Sequence, residues 1–145
     1  MTIDEKIEYE REVTQADLFA YINENRYDMS DFTAKYFKSV FCERQMDSKY
    51  SIHQLQYDAL LASYVFDEIE CDKILDNEEP LPYDVVWWVG YITRKWVLDK
   101  KIKSRDIAEA FSFEDLASTY NGFHMLDDDM AVDRLQEIYH NRIKS

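Results

Sequence analysis

Residues 83–99 read YDVVWWVGYITRKWVLD, and this stretch decides the fold. Val85, Trp88 or Val89, Ile92 and Trp96 fall on one helical face, and Val86, Trp87 and Val97 widen it. A helix that is apolar nearly all round belongs in the centre of a protein. The β-branched residues of the first half would also suit a strand. The length of the run and the Arg94-Lys95-Trp96 pattern favour helix. Gly90 inside such a helix costs about 1 kcal/mol against Ala. Its expected use is close approach by another helix or by a bulky ring.

Working outward, helix signals recur on both sides. Upstream lies NEEPLPYD at 77–84, whose Pro80 and Pro82 disfavour helix at the residues before them. The stretch from Asp67 to Asp84 carries eight carboxylates and one Lys, and predicts an acidic loop at about 71–83. Before it, Ser51 is expected to cap a long helix over 52–70, with Ile52, Leu55, Ala59, Leu60, Phe66 and Ile69 as its stripe. Ser30 is expected to cap a helix carrying Phe32, Tyr36, Phe37, Val40 and Phe41. That stripe reads as a core face, because base-stacking platforms need basic surroundings. Thr14 can cap a helix ending at Asn25, with Leu18, Phe19 and Ile22 inward. The mostly polar residues 1–13, with Ile3, Ile7 and Tyr9 on one side, predict a separate, loose N-terminal helix.

Downstream, Ser104 is expected to cap a short helix with Ile107, Ala108 and Phe111. Ser112 and Asp115 form a capping box for the next. Asn121-Gly122 predicts a helix stop with a left-handed Gly. Asp127 caps a last helix to about Arg142, with Ala131, Leu135 and Ile138 inward and Asp128 and Asp129 in the first turn, where the helix dipole favours them. The sum is an all-α fold, a compact single-domain bundle of about six or seven helices over residues 1–145.

Composition agrees. The chain has 145 residues, with only 2 Gly and 2 Pro. So few turn formers argue against β-sandwiches, barrels and glycine-rich phosphate loops. A chain of this mass should fold to roughly 8,000 Å² of surface. Apolar residues make up 46%, enough for a core without disulfides or metal. Met1 to Glu12 is charged throughout, unlike a signal peptide, and no apolar run reaches the ~20 residues of a membrane span. Cys42 and Cys71 are therefore expected as reduced thiols in a cytoplasmic protein.

Charge is the most extreme property. Asp and Glu number 30 against 17 Lys and Arg, a net charge of −13. Such a surface repels phosphate backbones and anionic membranes, so neither nucleic acid nor membrane is expected as a direct partner. It draws in basic proteins. Acidity alone also serves solubility. Residues 1–31 hold nine acids to three bases, and residues 106–137 hold nine to one. The segment 93–105 reverses the trend, with six bases and Asp99 as its one acid. It is expected to pair with the acidic 67–84 stretch or to neutralise the end of the Trp helix. Self-association into a homo-oligomer is the alternative.

Candidate chemistry is sparse. Asp127-Asp128-Asp129 lacks the alternation, the Gly and the distal Glu of a calcium loop, since the sixth residue is Val132. His124 with Asp127 or Asp128 could act as an acid–base pair, but a nucleophile would have to come from Cys42 or Cys71. The usual role of such a His is to satisfy a loop carbonyl. The reading is thus of a non-enzymatic protein with no cofactor and no metal. On a helix Trp87 points about 100° from Trp88, so Trp87 is a candidate exposed interface anchor. The expected partner-binding residues are Trp87, Tyr9, Asp127, Asp128, Asp129, Glu78 and Glu79.

The stretch WWVGYITRKW at 87–96, Ser104, and Tyr120-Asn121-Gly122-Phe123-His124 before Asp127 and Ala131 resemble a family of small uncharacterised acidic bacterial proteins. DFTAKYFKS at 31–39 and FCERQMDSKYS at 41–51 are similar too. The resemblance implies genes beside small toxin-like genes, and hence an antitoxin that neutralises a basic protein by occlusion. The same acidity would suit a phage-type inhibitor that mimics nucleic acid against a host nuclease or defence protein.

Overall fold

The computed structural model describes residues 1–48 and 51–144. Among these residues the chain forms eight α-helices. They are α1 (Ile3–Glu24), α2 (Met29–Phe37), α3 (Asp58–Phe66), α4 (Tyr83–Lys100), α5 (Ser104–Ala110), α6 (Phe113–Ser118), α7 (Tyr120–Phe123) and α8 (Asp128–Ile143). A π-turn at Cys42–Met46 and a 3₁₀ turn at Ile52–Leu55 link α2 to α3. The accessible surface is 8204 Å², as expected for a compact chain of this mass.

The central helix is α4, and α1 runs along it as its most extensive neighbour. Gly90 makes their contact possible. A Cβ there would lie 2.9 Å from Ala16 Cα, Gln15 O and Phe19 Cγ. Phe19 in turn meets the edges of Phe32 and Tyr36, with ring centroids 5.6 and 5.9 Å apart. Phe32 stacks on Tyr36 at 5.3 Å. The core therefore centres on α1, α2 and α4, with Leu61, Val65, Ile107, Leu116, Ala131 and Leu135 closing it from the other helices and Phe111 from the link between α5 and α6.

Several local expectations are corrected. Residues 1–13 do not form a separate arm. Thr2 caps a single helix, accepting from Glu5 N at 3.1 Å. The Thr14 hydroxyl donates to the Glu10 carbonyl at 2.8 Å instead of capping. Burial of Arg11, Gln15, Ala16 and Phe19 carries the helix through this point. The helix of Phe32 begins at Met29, capped by Asp28 rather than Ser30. Its stripe ends at Phe37, since Val40 is exposed.

The long helix expected at 52–70 is broken. Ser51 caps only the 3₁₀ turn, and Gln56 is extended with ψ 154°. The restart at Asp58 rotates the inward face to Leu61, Ala62 and Val65, leaving Leu55 and Ala59 outside. The side chain of Ile52 lies outside the described residues, as do Lys49 and Tyr50 of the FCERQMDSKYS stretch. Asn121-Gly122 does not stop a helix, because it sits within α7 and neither glycine has positive φ. The left-handed residues are Arg26 and Lys101. Asn25, Asp127 and the Ser112–Asp115 box do cap their helices as read.

Candidate functional site: an aromatic and acidic flank

On the outer side of the α1–α4 pair, three rings form a ladder. Trp87 stacks on Tyr91 with centroids 5.2 Å apart and planes 11° apart. Tyr9, 46% exposed, meets the edge of Tyr91 at 6.2 Å. Positions 87 and 91 are one helical turn apart on α4, which fixes the stack. The polar tips of the stacked pair each find a carboxylate. The Trp87 indole Nε1–H donates to Asp17 on α1 at 3.0 Å. The Tyr91 hydroxyl donates to Asp128 on α8 at 2.7 Å. Trp87 is thus half-buried and anchored, not a free anchor as its sequence position suggested.

The three aspartates at the start of α8 divide their work. Asp127 caps the helix, accepting from Asp129 N at 2.9 Å. Asp128 holds Tyr91. Asp129 meets Lys95 at 3.2 Å, and Lys95 also pairs with Asp99 at 3.0 Å. Burial opposes the charge on Lys95, and the hydrogen bonds to Asp99 and Asp129 outweigh it, holding its pKa above the ordinary lysine range. Beneath them Glu12 of α1 is 4% exposed. Burial raises its pKa to about 7. Lys95 opposes that rise, and Asp99, Glu8 and Asp128 add to it. Trp87, Tyr9 and Asp127–Asp129 are therefore gathered on one flank.

Glu78 and Glu79 are not part of it. They lie in the loop between α3 and α4, which binds the far end of α1. Arg26 donates to the Leu75 and Glu78 carbonyls at 2.9 and 2.8 Å, and Asn23 donates to Leu81 O at 2.9 Å. Fourteen residues of helix separate Tyr9 from Asn23, about 21 Å along the axis.

No family model, no curated protein and no solved structure matches this chain.

His124 takes the structural role expected of it. Its Nδ1 bonds the Tyr120 carbonyl and its ring stacks on Tyr120 at 4.0 Å. It borders a cavity of about 270 Å³ with Tyr83, Asp84, Trp87 and Trp88, which extends the aromatic flank. Neither thiol is activated. Burial pushes both Cys42 and Cys71 up to about 11. Among the described residues no cluster of three or more His, Cys, Asp or Glu could hold a metal. No described helix is long and apolar enough to cross a membrane.

Sequence reasoning missed the largest polar feature, a buried network around Arg94. This side chain is wholly buried. It meets Asp47 at 2.6 Å, Gln15 Oε1 at 2.7 Å and the Met46 carbonyl at 3.1 Å. Gln15 also accepts from Tyr36 OH at 2.9 Å and donates to Gly90 O at 2.8 Å. Ser104 donates its hydroxyl to Asp47 at 2.6 Å and its N–H at 3.0 Å, so it serves this network and not a cap. The basic run 93–105 therefore does not pair with the acidic loop. Lys100 pairs with Asp133 at 2.7 Å, and Arg105 donates to the Lys38 carbonyl at 2.7 Å. The signal for Arg94 was present: an Arg between Ile92 and Trp96 on a buried helix needs a buried acceptor.

Proposed function

We propose that this chain is a non-enzymatic protein-binding module that takes a basic protein partner on the Trp87–Tyr91–Tyr9 flank, neutralising it by occlusion as an antitoxin does. The observation that supports the reading is the ladder itself. Two accessible rings, Trp87 and Tyr9, flank the buried Tyr91 among Asp17, Asp128 and Asp129. Ring faces and carboxylates together suit an arginine or lysine side chain, through cation–π contact and charge-assisted hydrogen bonds. The net charge of −13 would steer such a partner in. The protein would work in the cytoplasm and need no cofactor.

Calorimetric titration with an arginine-rich peptide tests this. Asp128→Asn with Asp129→Asn should weaken binding by about tenfold, whereas Glu78→Gln with Glu79→Gln should change it less than about twofold. Equal effects of the two pairs would reduce the reading to general acidity. For a protein partner, release by duplex DNA would favour the nucleic-acid mimic instead.

A further inference from the structure

A second face of the molecule gathers three departures from regular structure. The first is the π-turn at Cys42–Met46, where Asp47 N–H donates to the Cys42 carbonyl five residues back at 2.8 Å. Single π-turns inside helical proteins concentrate at functional sites. The second is Lys101, left-handed at φ 54° and ψ 35° just after α4, where Gly or Asn is the usual residue. The third is Arg11. It is 3% exposed, its Nη2 donates to the Ser48 carbonyl at 3.2 Å, and its Nε–H is buried with no acceptor among the described residues. A buried N–H with no partner calls for a further acceptor.

All three border one cleft of about 560 Å³ between α1, the π-turn and the end of α4. That volume is in the range of small-molecule sites. Val97, Leu98 and Ile102 give it an apolar floor. Glu8, Glu43, Lys101 and Lys103 stand around it, and their side chains make no hydrogen bond or ion pair among the described residues. Asp47 also reaches it, but its carboxylate is taken by Arg94 and Ser104. Burial lowers the Arg11 pKa, and the nearby charge of Arg94 lowers it further. Glu8, Glu12 and Asp47 oppose that fall, so the guanidinium stands among carboxylates while its Nε–H still lacks an acceptor among the described residues.

We propose that this cleft binds a small zwitterion with an apolar body, an apolar amino acid or a short apolar peptide. The ligand's carboxylate sits toward Arg11 and Lys101, its ammonium toward Glu8 or Glu43, and its side chain on Val97, Leu98 and Ile102. A simple anion would face two free carboxylates, and a simple cation would face Arg11. A zwitterion meets both signs. Glu8 and Arg11, three residues apart on one helix face, set opposite charges side by side.

Calorimetry with L-leucine and with leucyl-leucine separates the two ligand sizes. Saturable binding of either, with Kd about 1 mM or tighter, is the expected result. Acetylating the amine or amidating the carboxylate of the bound ligand should each weaken it by about tenfold, as should Arg11→Met. Should Arg11→Met not fold, Glu43→Gln and Lys101→Gly alter only exposed groups, and each should weaken binding at least about threefold. Amide shifts on titration should centre on residues 42–47 and 97–103. The proposal is overturned if neither zwitterion saturates below about 10 mM, if the capped forms bind as tightly, or if the shifts lie elsewhere.

Discussion

Arg94 and Asp47 form a buried ion pair 2.6 Å long that joins the central helix to the π-turn after α2. Asp47 also receives the Ser104 N–H and hydroxyl, so one carboxylate fixes the entry to α5. Removing it leaves a guanidinium in the core with only neutral partners. Asp47→Ala is therefore expected to destabilise the fold by about 3–5 kcal/mol in urea unfolding. Arg94→Met together with Asp47→Ala should lose less than the sum of the two single changes, because no uncompensated charge remains. Simple additivity would show that the pair is not coupled.

The two glycines should respond in opposite senses. A Cβ at Gly90 meets the backbone of Ala16 and Gln15 at 2.9 Å, and backbone cannot step aside as a side chain can. Gly90→Ala should cost about 1–3 kcal/mol despite the better helix propensity of Ala. At Gly122 nothing lies within 4 Å and φ is not positive. Gly122→Ala should be neutral or stabilise by about 0.5–1 kcal/mol. Thermal unfolding of both variants decides the matter; equal shifts would contradict the close α1–α4 crossing.

Glu12 gives the stability a pH signature. Its folded pKa, about 7, lies above the ordinary carboxylate value of 4.5. Between those two values the folded state holds a proton that the unfolded chain releases. The protonated form's contribution is fully present below about pH 4.5 and is lost as pH rises toward 7. Glu12→Gln should therefore raise Tm by roughly 2–4 °C at pH 8 and change it little at pH 4.5. A variant with the same offset at both pH values would show that Glu12 is ionised throughout, held by Lys95.

Much of the architecture could be read from the chain because it follows local chemistry. The period of 83–99, the box at Ser112–Asp115 and the cap at Asp127 each depend on residues within one helical turn. The errors share a different cause. Thr14 and Ser104 have the chemistry of caps, yet tertiary burial decides their roles, through the Gln15–Ala16–Phe19 face and through Asp47. Gly122 has the freedom to end a helix, but hydrogen bonds from Phe123 and His124 back to Thr119 and Tyr120 continue the turn. On the acidic flank, Trp87, Tyr9 and Asp127–Asp129 were legible as types of residue. Their union through Asp17 and Tyr91 was not, since those contacts span 70 and 37 residues. The need of Arg94 for a buried acceptor was legible, but its partner was not: Asp47 lies 47 residues upstream in an irregular segment.

The most direct test of a basic partner on the aromatic flank is the indole N–H signal of Trp87 during titration with an arginine-rich peptide. It should shift saturably, together with amides near Tyr9 and Asp128, and the shift should fade as salt rises. The buried Trp96 indole, held by Gln136 at 2.6 Å, should stay in place. Shifts centred on the loop around Glu78 and Glu79, or spread evenly over the surface, would contradict the account.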